Sequence, residues 1–141
     1  MKNGLIIDKY ENKRWYLNDK LHREDGPAVK YTDGSKCWYL NGKRHREDGP
    51  AVEYADGEKL WYLNGERHRE NGPAVEFVDG DKLWYLNGIE YSEEEYWTEI
   101  KKFKLEKKII ETNCKCPLCG QDAYQSFILA TCINSNCRNY R

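Results

Sequence analysis

Cysteines are the residues here whose types and spacing could do chemistry. Five of the six stand from residue 114 onward: Cys114, Cys116, Cys119, Cys132 and Cys137. Taken from Cys116, they read C-x2-C-x12-C-x4-C. Two close pairs of thiolates are the donor set of a tetrahedral zinc ion. Gly120, directly after Cys119, permits the tight turn such a knuckle needs. Cys116, Cys119, Cys132 and Cys137 are therefore the expected ligands, with Cys114 a substitute for Cys116. Four sulfurs leave no open coordination position, so the zinc would be structural and not catalytic. No secretory leader opens the chain, and a cysteine cluster without one points to metal in a reducing cytoplasm more than to disulfides. Cys37 stands where Leu60 and Leu83 stand in the repeats described below, so it reads as a small apolar filler.

The next candidates are histidines, each inside an Arg-Glu string. His22, His45 and His68 recur at a 23-residue period, as do Trp15, Trp38, Trp61 and Trp84. Equivalent positions two strands apart lie about 9.6 Å from each other at ~4.8 Å per strand. Two imidazoles sharing a metal need nitrogens ~3–4 Å apart, so these three cannot hold one ion. Catalytic groups depend on singular, perturbed surroundings, and triplication argues against that. The histidines read as packing rungs, and "RED" as a charge ladder from repeat to repeat. Tyr91 takes the histidine's place opposite Trp84.

What positions these residues is a hairpin repeat. Asn41-Gly42, Asn64-Gly65 and Asn87-Gly88 are hairpin signals, because type I′ turns need positive φ. Asp33-Gly34, Asp56-Gly57 and Asp79-Gly80 carry the same expectation. The runs between them are rich in Val, Tyr, Trp and Leu, which suit strands. Two-residue turns throughout would place Val29 opposite Trp38 and Tyr39 opposite Arg44. One face would then carry Val29, Tyr31, Trp38, Leu40 and His45 as core. The other would expose Tyr39, Tyr62 and Tyr85 beside Arg44, Arg46, Arg67 and Arg69. Tyrosine and arginine anchor interfaces, so these seven are the candidate binding residues.

Residues 92–112 read as an amphipathic helix. Ser92 and Glu95 make a capping box, and Tyr96, Ile100, Phe103 and Ile110 recur at helical spacing. About 20 residues at ~1.5 Å give ~30 Å, enough to lie across the tryptophan face of a seven- or eight-stranded sheet. The expected class is mainly β: an elongated antiparallel sheet of hairpin repeats over residues 1–91, one covering helix over 92–112, and a small zinc ribbon over 113–141.

Over residues 10–91 the period, the glycine punctuation and the aromatic strand resemble divergent MORN repeats. The glycine that follows the histidine directly in MORN repeats is delayed here to Gly49 and Gly72. The resemblance implies a sheet of hairpins used for protein contact, and "HREDGPA" is similar to repeats of phage and giant-virus proteins. "CPLCG" and "CINSNC" resemble the zinc finger of phage late-gene activators of the Ogr/Delta type, although the spacer is shorter and lacks its basic residues.

Composition narrows the classes. With 39% hydrophobic and 33% charged residues, a thin structure with much surface is expected. A net charge of −1 gives no general pull toward nucleic acid or membrane. No phosphate-cradling glycine loop and no nucleophile with a base is evident, so an enzyme is not expected. The expectation is a cytoplasmic protein-interaction module, and the two resemblances imply a phage-encoded one that binds and inhibits a host or defence-system protein. The competing readings are a zinc-ribbon regulator contacting RNA polymerase or nucleic acid, and an antitoxin or immunity protein. A face left uncovered by one helix would leave room for a homodimer.

Overall fold

The computed structural model describes residues 1–113 and the strands 123–126 and 129–132, with side chains through residue 106. The chain divides into two compact units, Met1–Tyr96 and Trp97–Arg141. The first is mainly β and antiparallel. Its strands are β1 (Gly4–Ile7), β2 (Lys13–Leu17), β3 (Lys20–Leu21), β4 (Val29–Lys30), β5 (Lys36–Cys37), β6 (Tyr39–Leu40), β7 (Lys43–Arg44) and β8 (Val52–Glu53). They continue with β9 (Lys59–Leu60), β10 (Tyr62–Leu63), β11 (Glu66–Arg67), β12 (Val75–Glu76), β13 (Lys82–Leu86) and β14 (Ile89–Tyr91). One sheet follows the order β1-β2-β4-β5-β8-β9-β12-β13-β14, with β3 beside β2.

The second hairpin of the two central repeats leaves that sheet. β6 pairs with β7 and β10 with β11 as separate two-stranded ladders. The pivot is the tryptophan. Trp38 donates its N–H to Ala51 at 2.8 Å in the main sheet, while its carbonyl accepts His45 N–H at 3.2 Å in the hairpin. Trp15 and Trp61 do the same with Ala28 and His22, and with Ala74 and His68. Successive hairpins then join side by side: Arg46 N–H reaches the Tyr62 carbonyl and Gly65 N–H the Arg44 carbonyl. A single continuous sheet of hairpins was the expectation; two linked rows are found.

The turns explain the difference. Asn41, Asn64 and Asn87 have φ of 51°, 52° and 50°, each followed by a positive-φ glycine, as type I′ turns require. At the Asp-Gly turns only the glycine is left-handed, with Gly34 at φ 99°. The Asp33 carboxylate accepts Ser35 N–H at 2.8 Å, which holds the aspartate in an Asx turn. Tyr31 then pairs with Ser35 across a three-residue loop closed by a bulge, since Tyr31 N–H donates to the Ser35 carbonyl at 2.9 Å. Register slips by one residue. Val29 faces Cys37, not Trp38. The Tyr39–Arg44 and Trp84–Tyr91 pairings stand as expected.

With this register, neighbouring residues on the strands sort to opposite faces. One rung crosses eight strands as Ile6, Arg14, Val29, Cys37, Val52, Leu60, Val75 and Leu83. Val29, Val52 and Val75 are at most 2% exposed, and Cys37 at 4% fills the position of Leu60 at 5%. Tyr62 and Tyr85 of the hairpin row join the same core cluster, as do Ala51 and Ala74. An even alternation from Val29 and Trp38 would set Ala28 and Cys37 opposite the core; both are buried, Ala28 fully.

The helix α1 (Glu93–Asn113) begins at the expected capping box. Glu95 N–H reaches Ser92 Oγ at 3.4 Å and Ser92 N–H reaches Glu95 Oε2 at 3.0 Å. Its first turn belongs with the repeats, because Tyr96 is fully buried there. In the second unit, β15 (Ala123–Ser126) pairs antiparallel with β16 (Leu129–Cys132). No helix among the described residues is long and apolar enough to cross a membrane.

Candidate interaction surface

The repeated "HREDGPA" string builds a clamp. Arg46 lies 4.0 Å over the Trp38 ring, Arg69 3.8 Å over Trp61 and Arg23 4.2 Å over Trp15. Each guanidinium then bonds within its own repeat: Arg46 to Asp48 at 2.8 Å, to the Pro50 carbonyl at 3.2 Å and to Glu53 at 2.9 Å. The charges therefore do not form the expected ladder between repeats. With its side chain 22% exposed, the Arg46 stack is largely desolvated, where such a contact contributes about 1–2 kcal/mol. At the fourth tryptophan, Trp84, Tyr96 takes the arginine's place with ring centroids 4.9 Å apart. Three of the four repeat tryptophans are thus covered by arginine.

Histidines connect repeats instead. Asn41 N–H donates to His22 Nδ1 at 3.0 Å, Asn64 to His45 and Asn87 to His68 at 3.1 Å. In the tautomer that accepts this main-chain N–H the proton sits on Nε2; Nδ1 of His22 and of His45 also lies 3.0 Å from the side-chain oxygen of Asn41 and of Asn64. Nε2 faces Glu24, Glu47 or Glu70 at 3.5, 3.6 and 3.8 Å.

The expected binding residues serve the interior. Arg44 donates to Tyr39 Oη at 3.2 Å and Tyr62 Oη at 3.4 Å. Arg67 donates to Tyr62 at 3.3 Å and Tyr85 at 3.2 Å, and Tyr85 donates to Glu90. Tyr62 and Tyr85 are each 9% exposed. Of the face expected to be exposed, Tyr62 and Tyr85 are buried, Tyr39, Arg44 and Arg67 are half-buried, and Arg46 and Arg69 stack on the tryptophans. Sequence alone could not separate a buried tyrosine ladder from an exposed one, because the slipped register decides it.

The outward surface lies on the alternate rung. Cross-strand partners follow one another as Ile7, Lys13, Lys30, Lys36, Glu53, Lys59, Glu76 and Lys82. From Lys36 onward the signs alternate, which favours cross-strand attraction. Lys13, Lys30 and Lys36 break that pattern: three lysines face one another directly. Beside them an open depression of about 470 Å³ is lined by Ile7, Glu11, Lys13, Lys30, Tyr31 and Thr32. At the margin of the sheet Tyr31, Tyr54 and Phe77, one per repeat, are 39%, 40% and 37% exposed. The period made this row visible in the sequence, but an even alternation placed Tyr31 in the core.

Among the described residues no group of His, Cys, Asp or Glu could hold a metal ion. The expected zinc ligands Cys116, Cys119 and Cys137 lie outside the described residues, and Cys132 ends β16. The pairing of β15 with β16 sets Ala123 opposite Cys132. Compared with known proteins, the chain matches no family model, no curated protein and no solved structure.

Proposed function

We propose that this chain is a non-catalytic protein-interaction module. The MORN-like repeats are a rigid body, and the charged rung with its aromatic margin meets the partner. The single observation that carries this reading is the row Tyr31, Tyr54 and Phe77. Three aromatics at one position of successive repeats remain more than a third exposed, while Tyr62 and Tyr85 are buried in the tyrosine ladder and Trp38 and Trp61 lie under their arginines. Aromatics of this kind are the usual anchors of protein interfaces. The first turn of α1 packs on Trp84 through Tyr96. Cys116, Cys119, Cys132 and Cys137 hold a structural zinc that fixes the terminal hairpin. The resemblance to phage repeats and to a phage finger supports a phage protein that binds and inhibits a host protein in the cytoplasm.

The test is affinity capture from bacterial lysate, with and without nuclease, using the native chain and a Tyr31→Ser/Tyr54→Ser/Phe77→Ser variant. A stoichiometric protein that survives nuclease and is lost with the folded variant is the expected result. Equal capture by both chains would remove this surface from the reading. The return of the chain at Ala123–Cys132 favours a second reading, a zinc ribbon that contacts RNA polymerase or nucleic acid. Capture that disappears with nuclease would favour it.

A further inference from the structure

The three lysines that break the alternating rung define a subsite. We propose that Lys13, Lys30 and Lys36, with Ile7 and Tyr31 beside them, bind an acidic, partly apolar segment of the protein partner. This rests on the interaction-module reading and names the chemistry of what is bound.

Position 30 is the origin of the break. In the next two repeats the same position is Glu53 or Glu76, and each accepts from the arginine of its clamp, at 2.9 Å from Arg46 and 2.7 Å from Arg69. With Lys30 there, Arg23 keeps only Asp25 as carboxylate partner, at 2.7 Å. The substitution exchanges an attractive ion pair for like charges directly opposite on both sides, since Lys30 pairs with Lys13 and with Lys36. Like charges in that relation destabilise a sheet. Lys13 has no ion pair among the described residues, Lys30 Nζ lies 5.8 Å from the Trp15 ring, and Lys36 Nζ lies 3.8 Å from Glu53. An arrangement that disfavours the free protein is relieved when carboxylates arrive.

The size of the patch selects the ligand. Three neighbouring strands span about 10 Å, the reach of two or three carboxylates on one short segment. Glu53 bounds the lysines on one side, and Glu11 lines the same depression. A nucleic acid, which needs a continuous basic track, would meet those carboxylates. Ile7, 55% exposed, ends the row, and Tyr31, 39% exposed, lines the same depression, so both offer apolar contact there. An acidic segment carrying a Leu or Phe fits both features.

The experiment is fluorescence anisotropy on the full chain. The probes are a labelled ten-residue Asp/Glu peptide with a central Leu-Phe pair, its Lys/Arg counterpart, and a single-stranded oligonucleotide. Each is measured against the native chain, Lys30→Glu and Lys59→Ala. The proposal expects binding of the acidic peptide alone, at least tenfold weaker with Lys30→Glu and unchanged with Lys59→Ala. Lys30→Glu should melt at the same or a higher temperature, which separates lost binding from lost folding. Absence of acidic-peptide binding, or equal binding by Lys30→Glu, would overturn the proposal. So would tighter binding of the oligonucleotide than of the peptide. A captured protein that depends on Tyr31, Tyr54 and Phe77 but not on Lys30 would end this inference and leave the interaction-module reading standing.

Discussion

A side chain on Gly49 would have its Cβ 2.9 Å from the guanidinium carbon of Arg46. The glycine in "HREDGPA" is therefore not needed for an unusual φ. It makes room for the arginine that stacks on Trp38.

Gly49→Ala should displace Arg46 and cost about 1–2 kcal/mol, the value of a partly desolvated cation–π contact with its hydrogen bonds. Gly72→Ala, where the gap is 3.0 Å, should behave alike, and Gly26→Ala, at 3.5 Å, should cost less. Urea denaturation of the three variants measures the order. In an Arg46→Ala background the Gly49→Ala penalty should vanish. Persistence of the full penalty would show that the crowding lies elsewhere.

His45 accepts the N–H of Asn64 and so holds consecutive repeats together. His45→Ala removes the acceptor of that exposed N–H and should cost about 0.5–1.5 kcal/mol, the net worth of one hydrogen bond. His45→Asn, whose carbonyl oxygen can accept in the same region, should recover part of the loss. The ¹⁵N shifts of all three imidazoles at neutral pH should report the proton on Nε2. A proton on Nδ1 would contradict the latch.

Tyr96 Oη donates to the Arg69 carbonyl at 2.5 Å and accepts Gly72 N–H at 3.2 Å. Tyr96→Phe should lower stability by about 1–3 kcal/mol, since both backbone groups lose a buried partner. Burial pushes the Tyr96 and Tyr31 hydroxyls above the ordinary tyrosine range, and the hydrogen bond to Glu90 raises Tyr85. An acid raised on folding keeps its proton longer in the native state. Its stabilisation is full below the unfolded-state value of about 10 and falls as pH rises from there through the folded value. Melting temperature should therefore decline above about pH 10, less steeply in Tyr96→Phe. A flat profile in the native chain would remove the burial argument.

Native mass spectrometry should find one zinc per chain if the four cysteines bind it. Cys119→Ser and Cys132→Ser should each lose the ion, and a chelator should unfold the terminal hairpin while leaving the β-sheet signal intact. Loss of the whole fold on chelation would contradict a metal that serves only the C-terminal unit.

The sequence by itself determined the period, the asparagine turns, the helix cap and the equivalence of Cys37 with Leu60. Each depends on a local preference that little else can override: asparagine and glycine accept positive φ, and Ser92 finds Glu95 three residues on. Tertiary structure decided which side of each strand became core. At Asp33-Gly34 the dipeptide allows two turns, and the aspartate carboxylate's bond to Ser35 N–H selects the longer one. A one-residue slip turns every side chain of a strand to the other face. Val29 thereby met Cys37, the tyrosines turned inward, and Lys30 came to lie between Lys13 and Lys36. The arginine clamp was equally hidden, because Trp38 and Arg46 meet only once the strand has changed sheets at Trp38.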